Sequence, residues 1–281
     1  MIRLAGKDDE SVVRAMWKTC FGDTEEFLNI FFLQKYKPEN TLVYMYEGEF
    51  VASLQMLPFS FTFCGEEISF YYFAGLCTLP GYRKRGFMAQ LIDEAFRVMQ
   101  QREIPLAILV PAEDQLFDYY RNFGFEKVFD SANETIPLKE ILDKNSGDIV
   151  AAYKEFDARY RTRDFCVQKS LGDFKTIVEE AETENYPPKY NLDGMARLVD
   201  ARKLLEIFYR KNADKSFLIK IFDTRIRENN MVFVTRDGET ELDANIKVLT
   251  RLLFGYHMDE FKPAFRAIFG EHHPVLNLML E

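Results

Sequence analysis

At Pro80 the hydrophobic period of the chain changes, and that change governs what can be built around it. Upstream, residues 41–47 (TLVYMYE) have the composition of a strand, Gly48 sits in a turn, and residues 50–57 read as the return strand. A second hairpin is expected from residues 59–63, a turn at 64–66 and a strand over 68–79. Downstream, Phe87, Met88, Leu91, Ile92, Ala95, Phe96 and Met99 fall on one stripe of an amphipathic helix. Residues 105–110 then predict a buried strand, 113–122 a helix stopped by Gly124, and 125–129 another strand. Two helical patterns, 9–21 and 25–35, come first. This order predicts a mixed α/β sheet with helices on both faces.

Residues 138–191 are helical in pattern and strongly charged, and Pro187-Pro188 marks the end of that connector. Residues 192–281 form a second α+β unit. It contains a short strand at 195–199, a helix at 200–210, and two strands at 217–226 and 231–235. Helices are expected at 243–254, ended by Gly255, and at 260–268, before a terminal strand at 275–280. The expected division is therefore 1–137, 138–191 and 192–281. The 27 Phe and 14 Tyr among 281 residues suit thick β-rich packing layers.

The N-terminal stretch has no signal-peptide character, and no apolar run is long enough to span a bilayer, so a cytoplasmic protein with no membrane partner is expected. The net charge of −9 disfavours a nucleic-acid partner and is compatible with a cationic amine. Cys20, Cys64, Cys77 and Cys166 are scattered and read as buried reduced thiols. His257, His272 and His273 lie near the C-terminus without ligand spacing, so no metal is expected.

The chemistry concentrates in residues 73–90, FAGLCTLPGYRKRGFMAQ. An apolar strand ends at Pro80, a basic loop follows, and Gly86 opens the helix. The first turn of a helix leaves amide groups without partners and carries about half a positive charge. Gly86 has no Cβ to hold a phosphate away from the backbone, and Arg83, Lys84 and Arg85 raise the local potential. The alternative is a solvated basic turn. Neither the Walker nor the dinucleotide glycine pattern occurs in the chain.

Arg83-Lys84-Arg85-Gly86-Phe87-Met88 resembles the R-x-x-G-x-small loop of the GNAT superfamily of N-acetyltransferases, with Met88 where most members have Gly or Ala. Pro80-Gly81-Tyr82 before it and Tyr120-Arg121-Asn122-Phe123-Gly124-Phe125 after it resemble the enhanced-intracellular-survival (Eis-like) branch. The segments MARLVDARKLLE and LDANIKVLTRLLFGY resemble that branch's sterol-carrier-like C-terminal domain. The resemblance covers about residues 1–137 and 192–281. It implies a GNAT fold, a mostly antiparallel mixed sheet flanked by helices, plus a small α+β sterol-carrier-like domain.

It also implies acetyl transfer from acetyl-coenzyme A, as co-substrate, directly to a primary amine on a small molecule or a lysine. Cys77, Thr78 and Leu79 would meet the thioester arm, and Arg83, Lys84, Arg85, Gly86, Phe87, Met88, Ala89 and Gln90 the pyrophosphate. Tyr120 would be the general acid, with Tyr119 as its rival, and the terminal carboxylate at Glu281 the base. The family's habit of assembling leaves room for a homo-oligomer. Cys77 as a nucleophile lacks a visible partner and reads as packing. The phenylalanine-rich hairpins either line an amine pocket or fill the sheet. The competing reading is an apolar-ligand-binding module whose first half only senses coenzyme A.

Overall fold

The computed structural model of the chain describes residues 1–131, 135–236, 238 and 240–280. It opens with strand β1 (Ile2–Leu4), helices α1 (Glu10–Phe21) and α2 (Glu25–Gln34), and strands β2 (Thr41–Tyr46), β3 (Glu49–Phe63) and β4 (Glu66–Thr78). Helix α3 (Phe87–Gln101), strand β5 (Leu106–Leu109), helix α4 (Asp114–Arg121) and strand β6 (Glu126–Phe129) follow. The middle of the chain holds β7 (Thr135–Ile136), α5 (Leu138–Lys144), α6 (Ile149–Tyr160), β8 (Cys166–Gln168), α7 (Leu171–Thr183) and β9 (Lys189–Tyr190). The last part holds β10 (Gly194–Leu198), α8 (Ala201–Lys211), β11 (Phe217–Phe222), β12 (Met231–Val234), β13 (Thr240–Asn245), α9 (Ile246–Leu253) and α10 (Pro263–Ile268).

The large sheet runs β1-β2-β3-β4-β5-β10-β6, with β8 also paired to β3. Every pairing in it is antiparallel except β4 with β5. Alternating side chains feed two cores. Leu54, Met56, Tyr71 and Phe73 face α3 and α4, whereas Leu57, Phe61, Phe70 and Tyr72 face α1, α2 and the C-terminal half. The expected mixed sheet with helices on both faces is what the chain builds.

Several elements differ from expectation. Residues 49–63 form one strand rather than two, because Pro58 falls in a gap along one edge of β3. There β2 has stopped pairing at Gln55 and β8 has not begun at Ser60, so the missing N–H breaks no ladder on that side. The connector carries β8, which joins the large sheet, and β9. Strand β10, expected in the terminal unit, also joins the large sheet, between β5 and β6. Residues 243–245 are the end of β13 rather than the start of a helix. The Asn245 side chain then caps α9 by accepting from the Lys247 and Val248 amides. The final segment is not a strand but makes one parallel bridge, Val275 to Cys166.

Candidate functional site

Strand β4 runs beside β3 along its whole length but pairs with β5 only from Phe70 to Tyr72. Beyond Tyr72 the two parallel strands part, so residues 73–78 present backbone to a fork rather than to a neighbouring strand. The register against β3 slips within this stretch: Gln55 opposes Ala74 while Ser53 opposes Cys77, so β4 carries one extra residue. Gly75 takes up the bulge at φ +57°. A Cβ there would stand 2.3 Å from the Trp17 ring, so this position requires glycine twice over.

Above the fork the chain makes a single turn at Pro80–Tyr82 and reaches the basic loop. Lys84 and Gly86 both lie in the left-handed region, at φ +62° and +80°. Two such residues in three positions fold the loop back so that Phe87 can start α3, a helix whose first turn has no side-chain cap. Apart from the glycine and its chain neighbours, nothing among the described residues lies within 4 Å of where a Gly86 Cβ would stand. Uncapped amides, open space and adjacent cations fit an anionic group such as a pyrophosphate.

The three cations are not equivalent. Arg83 Nε donates to the Thr78 carbonyl at 3.1 Å and ties the loop to the end of β4. Arg85 lies over the Tyr46, Phe87 and Tyr82 rings, 4.4, 5.1 and 5.6 Å from their centroids. Lys84 is exposed. Gln90 is held by the Tyr44 hydroxyl, which donates to its Oε1 at 3.1 Å. Phe87 is buried, whereas Met88 and Ala89 are half-buried against the same core. Leu79 donates its amide to the Val51 carbonyl at 3.0 Å, which extends the β3–β4 ladder to the mouth of the fork.

Tyr120 lies in the last turn of α4 and is 7% exposed. Its ring is 6.0 Å from that of Phe125, which is 5.9 Å from Phe73 at the start of the fork. Its hydroxyl has no hydrogen-bond partner among the described residues. Burial, with a smaller effect from Tyr119, pushes its pKa well above the ordinary phenol value, so it holds its proton at neutral pH. Tyr119 is more exposed, and burial raises it as well. Glu281 lies outside the described residues.

The Tyr120-to-Phe125 motif has a structural reason. Gly124, at φ +83°, passes so close to Arg197 of β10 that a Cβ would stand 2.8 Å from its Nε. Arg197 is fully buried, and its Nη2 donates to both carboxylate oxygens of Asp223, at 2.8 and 2.7 Å. Asn229 and the Arg225 and Ile226 amides complete the shell around that carboxylate.

Three features went unread in the sequence. Gly75 inside a strand pattern was the available signal for the bulge. Gln55 beside it is 1% exposed, and neither atom of its carboxamide has a partner among the described residues. No periodicity reveals such a group. Cys20, read as one scattered thiol, sits against the end of β4 with its Sγ 3.5 Å from the Thr78 carbonyl. Cys77 is buried, and its sulfur shares a hydrogen bond with the Ser53 hydroxyl at 3.1 Å.

On the sheet face opposite α3, residues 275–280 pass through the core. The bridge from Val275 to Cys166 is parallel, β8 is antiparallel to β3, and β3 is antiparallel to β4. The segment therefore runs in the direction of β4, toward the fork. Val275, Leu276, Asn277, Leu278, Met279 and Leu280 are all buried. Lys169, itself buried, anchors them by donating to the Asn277 carbonyl and Oδ1, each at 3.0 Å. Among the described residues no three His, Cys, Asp or Glu side chains converge as metal ligands, and no helix is long and apolar enough to cross a membrane.

Residues 1–128 match the family model described as an acetyltransferase (GNAT) domain. No curated protein matches the sequence. Among solved structures, a conserved protein of unknown function from Enterococcus faecalis V583, described as a probable N-acyltransferase, superposes with a TM-score of 0.71 at 14% identity over 99% of this chain and 98% of that one. Eis1 from Mycobacterium abscessus superposes at 0.73 and 12% identity over 99% and 98%. A GCN5-related N-acetyltransferase from Kribbella flavida gives 0.65 and 12% over 98% and 96%. The first 128 residues thus match a GNAT acetyltransferase domain, and the chain from end to end has the fold that these three structures share.

Proposed function

We propose that the protein is a coenzyme-A-dependent N-acyltransferase that moves an acetyl group from acetyl-coenzyme A directly to a primary amine. One observation carries the reading: the parted strands β4 and β5 open beside the uncapped first turn of α3. A pyrophosphate would be held by the amides that follow Gly86, with Arg83 and Lys84 supplying charge. The thioester arm would lie against the backbone of residues 77–79. Acetyl-coenzyme A supplies an activated carbonyl and a thiolate leaving group.

The remaining work falls to the chain. Backbone amides at the bulge polarise the carbonyl as its oxygen gains charge. Tyr120, kept protonated by burial, gives its proton to the departing sulfur. The Glu281 carboxylate is the base for the attacking amine. The support for it is the buried course of residues 275–280 toward the fork. In this reading residues 192–281, with their resemblance to a sterol-carrier-like unit, support the site through β10 and that segment.

The test is thiol release from acetyl-coenzyme A with a panel of polyamine, aminoglycoside and lysine-peptide acceptors. At least one acceptor should give turnover. Tyr120→Phe should lower kcat by about 100-fold or more while coenzyme A still raises the melting temperature as in the parent. No thiol release with any acceptor, together with no thermal shift from coenzyme A at millimolar concentration, defeats the proposal.

A further inference from the structure

At the end of β4 two thiols meet. Cys20 projects from α1 onto the Thr78 carbonyl, at 3.5 Å, and Arg83 donates to the same oxygen at 3.1 Å, so the guanidinium and the Cys20 sulfur share one acceptor. Cys77 is the residue before Thr78 and is held by the Ser53 hydroxyl at 3.1 Å, so the two thiols flank one peptide at the end of the strand. Cys20 is half-buried and Cys77 fully buried. The other two cysteines, Cys64 and Cys166, are buried elsewhere in the core.

The environments divide the labour between the pair. The Cys77 thiol, and then Arg83, draw the Cys20 thiol below its ordinary value against the opposing effect of burial, which makes it the readier of the two to ionise. Cys77 is held well above the usual thiol range by Cys20 and by burial and keeps its proton. Burial pushes both Cys64 and Cys166 up to about 12. A half-exposed, more acidic thiol beside a buried second thiol is the arrangement of an attacking and a resolving cysteine.

We propose that Cys20 and Cys77 are a peroxide-reactive pair that closes to a disulfide. The Cys20 thiolate attacks one peroxide oxygen, forming an S–O bond as the O–O bond breaks and hydroxide leaves. The sulfur is oxidised to a sulfenic acid and the peroxide is reduced. The Cys77 sulfur then attacks the sulfenic sulfur. The S–S bond forms, the S–O bond breaks, and the departing hydroxide takes the Cys77 proton as water. The crosslink ties α1 to the last residues of β4. On the acyltransfer reading, it would halt turnover by fixing the strand that meets the thioester.

The full chain is treated with hydrogen peroxide, alkylated under denaturing conditions and peptide-mapped. One disulfide, Cys20 to Cys77, should form while Cys64 and Cys166 remain alkylated. In C77S, Cys20 should stop as a sulfenic acid trapped by dimedone, and in C20S, Cys77 should stay reduced. Oxidation confined to Cys64 or Cys166, Cys20 advancing to the sulfinic acid with no disulfide in the parent chain, or Cys77 oxidising as fast in C20S as in the parent each overturns the pair. The parent chain's own map needs no variant to fold. The readout is covalent, so it stands or falls apart from any result with acetyl-coenzyme A.

Discussion

Gly124 shows how a recognisable motif residue can be fixed by packing two elements away. Its φ of +83° is one that a side chain adopts only under strain, and its missing Cβ is what lets Arg197 lie flat beside it. Arg197 has little freedom to retreat: it is locked to Asp223 by two bonds and stacked 5.3 Å from the Phe96 centroid. Gly124→Ala should therefore cost about 2–4 kcal/mol, from backbone strain and overpacking together. The urea midpoint should fall with little change in slope. An unchanged midpoint would show that Arg197 moves aside freely. The glycine and its tyrosine were legible in the sequence because they lie in one short motif. The arginine was not, because it lies 73 residues further on and only the sheet brings it back.

At the scale of elements, the strand-to-helix switch at Pro80 was plain because its two hydrophobic periods differ. What periodicity hid was the shape of the strand before it. A bulge adds one residue without disturbing the apolar run, so residues 68–79 read as an ordinary strand, while the structure bends at Gly75 under Trp17. Trp17 is the chain's single tryptophan and is 7% exposed, with its indole N–H donated to Asp23 at 2.6 Å. Gly75→Ala must push that ring away or flatten the bulge. The expected result is a red-shifted tryptophan emission in a protein that keeps its far-ultraviolet circular dichroism, together with a loss of acetyl transfer. Emission identical to the parent's would mean that the ring does not rest on Gly75. The helix expected at 243–254 begins only at Ile246 for a related reason: Leu242 and Ala244 are buried and their neighbours are not, so a two-residue alternation runs into a helical stripe.

Across the whole molecule, the sheet closes only with β10, and the core only with residues 275–280. These long-range pairings leave little local trace in the sequence. Lys169 is where that closure depends on a charge. Its side chain is enclosed by the Asn277 oxygens, Met279 and the Phe59 ring, and burial pushes its ammonium down to about 7. An unfolded lysine titrates near 10.4. Between about pH 7 and about 10 the unfolded chain thus binds more protons at this residue than the folded one. Stability gains from it as pH rises through that window, and below about pH 7 the cost of the buried charge is fully present. Lys169→Met removes that charge. The parent should therefore improve relative to the variant by up to about 1.4 kcal/mol per pH unit within the window. Urea unfolding of both proteins at pH 6 and pH 9 measures this difference. Curves offset by the same amount at both pH values would mean that Lys169 keeps its proton when buried, held by its three acceptors, and that the segment leading to Glu281 is anchored by a permanent cation.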